Sequence, residues 1–355
     1  MIMNVRGSKQ IPATGVEKII IRGVNWIGDA VMTFPALAAI RKTYPGARIS
    51  LLAKPWVADL YRLSPDINNV ILLQSPGVHT GLAGKFRLAS ELKQEDFHMA
   101  ILLQNAIEAA IIARLARIPI RAGYNSDGRG FLLTHSVQRT EEVRKVHQVD
   151  YYLEMVKSLG CLDAGRALRL GPGDECAALA DVILESYGIA GQRPLIGIAP
   201  GATYGPAKKW YPERFAAVAD RLIDDLVGQV LLFGSAADRD SAGAVKRNAM
   251  HNLINLAGKT GLKEAIALIS RCDLFISNDS GLMHVAAALG IPTVAIFGST
   301  NSVTTSPVGE KIVIVRKNIE CSPCLRETCP SDFRCMDMIT VNDVCDAARE
   351  LLCRK

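Results

Sequence analysis

Two doubly wound α/β lobes are expected from three features of the chain. Short apolar runs alternate with helical patterns, the alternation occurs on both sides of a Gly/Pro cluster, and 355 residues exceed what one hydrophobic core usually supports. Residues 17–22 (EKIIIR) read as a first strand that ends at Gly23. From 29 to 44 the apolar spacing is helical, and Pro35 inside it predicts a kink or a restart. Pro45-Gly46 breaks that pattern, and 47–53 (ARISLLA) supplies a second strand, which completes a βαβ unit with a buried parallel sheet. A strand at 70–73, a charged helix, a strand at 99–103 and a helix at 107–116 continue the series. Residues 145–159 are helical, after which Gly160, Gly165, Gly171, Pro172 and Gly173 mark a linker.

The alternation resumes at Pro194. Strands are expected at 195–199, 229–233, 273–277 and 293–297, with helices at 212–226, 262–270 and 281–289 between them. A last helix spans 342–352. The resulting domain reading is an N-terminal extension over 1–16, a first lobe over 17–170, a second lobe over 171–340, and a C-terminal helix over 341–355 that packs back on the first lobe.

Composition narrows the function classes. Hydrophobic residues make up 49% and charged residues 21%, as in a folded globular protein. Apolar runs such as 230–233 and 293–297 are far shorter than the roughly 20 residues of a membrane span. The opening MIMNVRGSKQIPATG lacks an apolar stretch of signal-peptide length, so a cytoplasmic protein is expected. The net charge of +6 favours anionic ligands or lipid headgroups without implying nucleic acid, and ordinary surface variation explains it equally. Nine cysteines in such a chain are expected as thiols or metal ligands, not disulfides.

Open parallel sheets bind ligands beyond the carboxyl ends of their strands, so the loops there carry the candidate chemistry. After the first strand, Asp29 is either a general base or a helix N-cap. The segment PGATYGPAKKW (200–210) combines Gly201, Thr203, Lys208 and Lys209: small residues admit an anion to the backbone, and the hydroxyl and ammonium groups suit a diphosphate. It matches neither the P-loop nor the dinucleotide fingerprint, and a flexible loop with solvated lysines remains the plain alternative. In SNDSGLMH (277–284), Asp279 or Ser280 can cap a helix whose first amides, with Ser280 and Gly281, would face a phosphate. His284 lies further along the same helix, as a structural or a functional residue. Gly234-Ser235 and Gly298-Ser299 repeat one strand-end arrangement that admits a flat base or a ribose. Finally, Cys321, Cys324, Cys329 and Cys335 place four thiols within fifteen residues, either as a metal site or as ordinary loop thiols; the spacing is not that of paired zinc knuckles.

Taken together, the segments NWIGDAVMTFPALAAIRKTYPGA (25–47), PGATYGPAKKW (200–210), LAGKTGL (256–262), NDSGLMHVAAALGIPTVAIFG (278–298) and the CSPC tail resemble the glycosyltransferase family 9 heptosyltransferases, from about Glu17 to the C-terminus. The resemblance implies the GT-B architecture, two Rossmann-like lobes facing a central cleft, with the acceptor lobe first and the nucleotide lobe second. It also implies an ADP-L-glycero-β-D-manno-heptose donor and, as acceptor, the first heptose of the lipopolysaccharide inner core. By that likeness Asp29 matches the catalytic base and Lys208 the lysine that steadies the leaving diphosphate. Asp279 and His284 match a DTGxxH-type donor site in which Ser280 replaces threonine. A ribose-binding glutamate of some relatives has no clear counterpart after Ser235, and Asp238 stands nearest. No cofactor or metal is expected to be required, and membrane contact is expected to be peripheral. Other members of the family, a nucleotide-sugar epimerase of the same architecture, and a non-catalytic redox or binding protein built on the cysteines are the rival readings.

Overall fold

Strands of aliphatic and β-branched residues separated by helices pair in parallel, because the crossover helix returns the chain to the same sheet edge. The computed structural model, which describes residues 9–168 and 170–353, shows this twice, in compact units that divide after Leu170. The first unit runs β1 (Lys18–Arg22), α1 (Ile27–Met32), α2 (Phe34–Thr43), β2 (Arg48–Ala53), α3 (Pro55–Arg62) and β3 (Asn69–Leu72). It continues with α4 (Gly81–Gln94), β4 (Met99–Leu102), α5 (Ile107–Leu115), β5 (Ile120–Tyr124), β6 (His135–Val137) and α6 (Gln148–Ser158). Its six strands are parallel in the order β3-β2-β1-β4-β5-β6, with Ile19 of β1 opposite both Ile49 of β2 and Met99 of β4.

The restart expected near Pro35 is present: α1 stops at Thr33, whose Oγ1 donates to Ala30 O at 2.6 Å, and Pro35 occupies the first turn of α2, where its missing N–H costs no bond. The extension expected over 1–16 falls partly outside the described residues. Its remainder lies on the first unit, with Ile11 N–H donating to Leu159 O (2.9 Å) and the Tyr44 hydroxyl to Pro12 O (2.8 Å).

The second unit opens with a helix, α7 (Gly173–Ser186), in a stretch between the Gly/Pro cluster and Pro194 for which the sequence reading named no element. Next come β7 (Leu195–Ala199), α8 (Pro212–Leu226), β8 (Gln229–Leu232), α9 (Arg239–Asn248), β9 (Ile254–Asn255) and α10 (Leu262–Ile269). The unit ends with β10 (Leu274–Asn278), α11 (Gly281–Ala288), β11 (Thr293–Ile296), α12 (Ser302–Thr305), β12 (Ile312–Val315), α13 (Arg334–Asp337) and α14 (Val341–Cys353). The sheet order β9-β8-β7-β10-β11-β12 repeats that of the first unit. In both, strand order reverses beside the first strand, between β1 and β4 and between β7 and β10, and that is where doubly wound sheets take their ligands.

Val344, Cys345, Ala348 and Leu351 of α14 are buried in one core with Ile196, Phe215, Leu274 and Val294, so its apolar face is used by the second unit. Among the described residues no helix is long and apolar enough to cross a membrane.

Candidate active site

β7 and β10 are buried along their whole length, so they deliver their C-terminal loops to fixed positions. The loop 200–210 is pinned at its far end by Trp210, which is fully buried and packs edge-on against Phe215. Its indole N–H donates to Ile339 O at 3.1 Å. A single side chain ties the loop to β10: Asn278 Oδ1 accepts from Trp210 N–H (3.0 Å), and Asn278 Nδ2 donates to Pro200 O (2.8 Å). Both ends of the loop are thereby fixed to the strand that carries Asp279.

Lys208 Nζ then lies 2.6 Å from Asp279 Oδ2, and both side chains are largely withdrawn from solvent, 15% and 6% exposed. Thr300 Oγ1 donates to the same oxygen at 2.6 Å, and the Tyr204 ring sits 5.0 Å from the ammonium. This ammonium stands beside the start of α11. Ser280 occupies the cap position there with extended backbone, but its hydroxyl pairs with Ser277 Oγ (2.9 Å) and makes no capping bond. A helix start without a side-chain cap, next to a lysine, is suited to an anion. His284 is buried within α11, one and a half turns beyond Asp279.

The glycines are explained by close approach. A Cβ on Gly201 would stand 2.1 Å from Asp238 Oδ1, and one on Gly234 would stand 2.7 Å from Asp238 Cβ. Asp238 Oδ2 accepts from Ser235 N–H (2.9 Å) and Ser235 Oγ (2.7 Å), a capping box that closes the turn after β8. Asp238 is thus a buried brace between two loops, which accounts for its presence without a ribose-binding role. Lys209 turns to Ser241 of α9 at 3.4 Å and does not join Lys208, while Thr203 is exposed on the loop. Asn278, Tyr204 and Thr300 join the site although the motif reading did not single them out as site residues.

In the first unit, the loop after β1 is held by Arg22. Its buried guanidinium donates to Gly23 O, to Leu52 O (3.2 Å) and to Asn25 Oδ1 (2.9 Å), and burial lowers its pKa to about 10. Tyr61 Oη accepts from Val24 N–H at 3.1 Å, and a Cβ on Gly23 would meet the Tyr61 ring at 3.0 Å. Asp29 is half-buried in the first turn of α1, where Trp26, not Asp29, holds the cap position, so the capping explanation for this carboxylate lapses. Two buried phenols lie near it. Burial first, with the charge of Asp29 adding to it, pushes Tyr61 up to about 12 and holds Tyr152 well above its ordinary value.

Comparison with known proteins bears on these arrangements. Residues 85–333 match the model of glycosyltransferase family 9 (heptosyltransferase). The chain belongs to glycosyltransferase family 9. Among its relatives in that family, the lipopolysaccharide heptosyltransferase 2 of Salmonella typhimurium is 31% identical, over 84% of this chain and 88% of the relative. That of Escherichia coli K12 is 30% identical over the same shares. The solved structure of the E. coli ADP-heptose LPS heptosyltransferase II is similar with a TM-score of 0.81, at 28% identity, over 95% of this chain and 99% of that one. A family 9 glycosyltransferase from Veillonella parvula reaches 0.87 over 98% and 100%, at 23% identity, and shares the fold. The α/β class and GT-B type expected of a family 9 chain are therefore present. Membership makes the protein a glycosyltransferase, so the epimerase and the non-catalytic readings fall away.

Proposed function

We propose that this family 9 glycosyltransferase moves L-glycero-D-manno-heptose from ADP-L-glycero-β-D-manno-heptose to the first heptose of the lipopolysaccharide inner core, with inversion at the anomeric carbon. The observation that carries the reading is the Lys208 ammonium, fixed on Asp279 at the carboxyl end of β10 and beside the start of α11. An ammonium has three donors. Asp279 takes one, and the others are suited to the diphosphate of the donor. The second unit is thereby the nucleotide-binding lobe, and the first unit, with Asp29, is the acceptor lobe.

A β-configured donor and an α-linked product require a single in-line displacement. The acceptor oxygen forms its bond to the anomeric carbon while the bond from that carbon to the diphosphate breaks. Asp29 takes the proton of the acceptor hydroxyl, and ADP leaves with its charge met by Lys208 and the first amides of α11. These contributions are general-base catalysis and preorganised electrostatics. Gly201, Gly234, Ser235, Ser280, Gly281 and His284 complete the donor site in this reading, and the acceptor's lipid anchor goes with peripheral contact at the cytoplasmic face of the inner membrane.

The test supplies purified protein with ADP-heptose and core acceptors bearing no heptose or one, and reads the products by mass. Addition of one heptose to the singly substituted acceptor is expected. Addition to the unsubstituted acceptor alone would assign a different family 9 acceptor, and hydrolysis or epimerisation of the donor without transfer would overturn the reading.

A further inference from the structure

The stretch 316–333, between β12 and α13, contains neither helix nor strand, and not one residue from 321 to 332 is fully buried. It is nevertheless fastened to both loops that build the Lys208 site. Tyr204 Oη donates to Leu325 O (2.8 Å) and Ala207 N–H to Glu327 O (2.9 Å) on one side. On the other, Leu325 N–H donates to Ser299 O (2.8 Å) and Ser322 Oγ to Gly298 O (2.7 Å). The approach is close enough that a Cβ on Gly205 would stand 2.4 Å from Glu327 O. Ordering an irregular segment costs conformational entropy, and this one has too little buried apolar surface to offset it.

Cys321, Cys324, Cys329 and Cys335 all line one cavity of about 300 Å³, whose wall also includes Ala207 and Ser299, the chain neighbours of Lys208 and Thr300. Four thiols around one space make the donor set of a tetrahedral sulfur site. The guanidinium groups of Arg326 and Arg334 line the same cavity, where they would offset the charge of four thiolates around a divalent ion. Among the described residues no three such side chains already stand in a metal-holding arrangement. Cys335 is fixed at α13, so closure to the roughly 2.3 Å of a zinc–sulfur bond asks the irregular segment that carries the other three to draw in.

We infer that Cys321, Cys324, Cys329 and Cys335 bind one zinc ion as a tetrathiolate, and that this ion braces the 204–208 loop. The spacings of two, four and five intervening residues match neither bacterial nor plant-type ferredoxin runs, which favours a single ion over an iron–sulfur cluster. The bracing role rests on the donor reading above; the metal site itself does not.

The test is elemental analysis of the full-length protein purified without chelator from zinc-supplemented medium, with thiol titration and ADP affinity measured before and after a strong chelator. About one zinc per chain is expected, with release by the chelator exposing four further thiols. Cys324→Ser should lower zinc affinity by about tenfold or more. Cys353→Ser, an exposed cysteine outside the cavity, should retain the metal. Less than about a tenth of an equivalent of zinc, iron with visible absorption, or a disulfide within the cluster would each overturn the site. Zinc whose removal leaves ADP affinity unchanged would overturn the brace. Because metal content is read without sugar transfer, a failed transferase assay leaves this outcome separately decided.

Discussion

Asp279 organises the second unit's site through one oxygen, which accepts from both Lys208 and Thr300. A charge-assisted bond to a diphosphate contributes about 1.5–3 kcal/mol. Lys208→Ala should therefore weaken ADP binding about ten- to hundredfold, as measured by calorimetry, and should also lower thermal stability, because the buried Asp279 carboxylate loses its ammonium partner; unchanged ADP affinity would remove Lys208 from the diphosphate site. Asp29, Lys208 and Asp279 were singled out from the chain as candidates because each lies in a loop past a strand, where a doubly wound sheet presents its ligands. The partners that fix them were not. Trp210 bonds to Asn278, 68 residues away in sequence, and Asp238 meets Gly201 across the sheet, and no local pattern encodes either contact. Lys209 shows the converse: adjacent to Lys208 in the motif, it faces Ser241 because consecutive residues leave a loop in different directions.

At the level of elements, β7, α8, β8, α10, β10, α11 and β11 followed from apolar periodicity to within a residue or two, because each buried strand is a short aliphatic run between glycine or proline breaks, whereas α9, β9, α12, β12 and α13 were not read from the chain. Two helices carried weaker signals. α7 begins at Gly173, the last residue of the Gly/Pro cluster taken as a linker, and is held against α10 through its buried face of Cys176, Ala180 and Leu184 and by ion pairs of Glu175 with Lys263 and Asp181 with Arg271. α14 was recognised as a helix, but its partner was not, since an apolar stripe states that something covers it and not what. Its packing is now specific. Leu351 is 3% exposed in the second core, and Leu351→Ala should destabilise the protein by about 2–5 kcal/mol in chemical denaturation. A loss below about 0.5 kcal/mol, the range of surface substitutions, would show that the helix is not part of that core.

Over the whole molecule, one topology occurs twice with different loops, and the two units carry separate cores. The fold supplies two sets of strand ends, and the proposed chemistry lies in the residues just beyond them: a half-buried carboxylate after β1, and a lysine and an uncapped helix start after β7 and β10. If the second unit alone holds the nucleotide, residues 171–355 expressed by themselves should fold cooperatively and bind ADP with the affinity of the whole chain, while transferring no sugar. Failure of a folded fragment to bind ADP would place part of the nucleotide site elsewhere. The division of labour is tested most directly by the transfer rate of Asp29→Asn at saturating ADP-heptose, with ADP affinity measured on the same preparation. The account predicts a fall of about 10²- to 10⁴-fold in rate with ADP affinity unchanged, and a rate near that of the unaltered protein would contradict it.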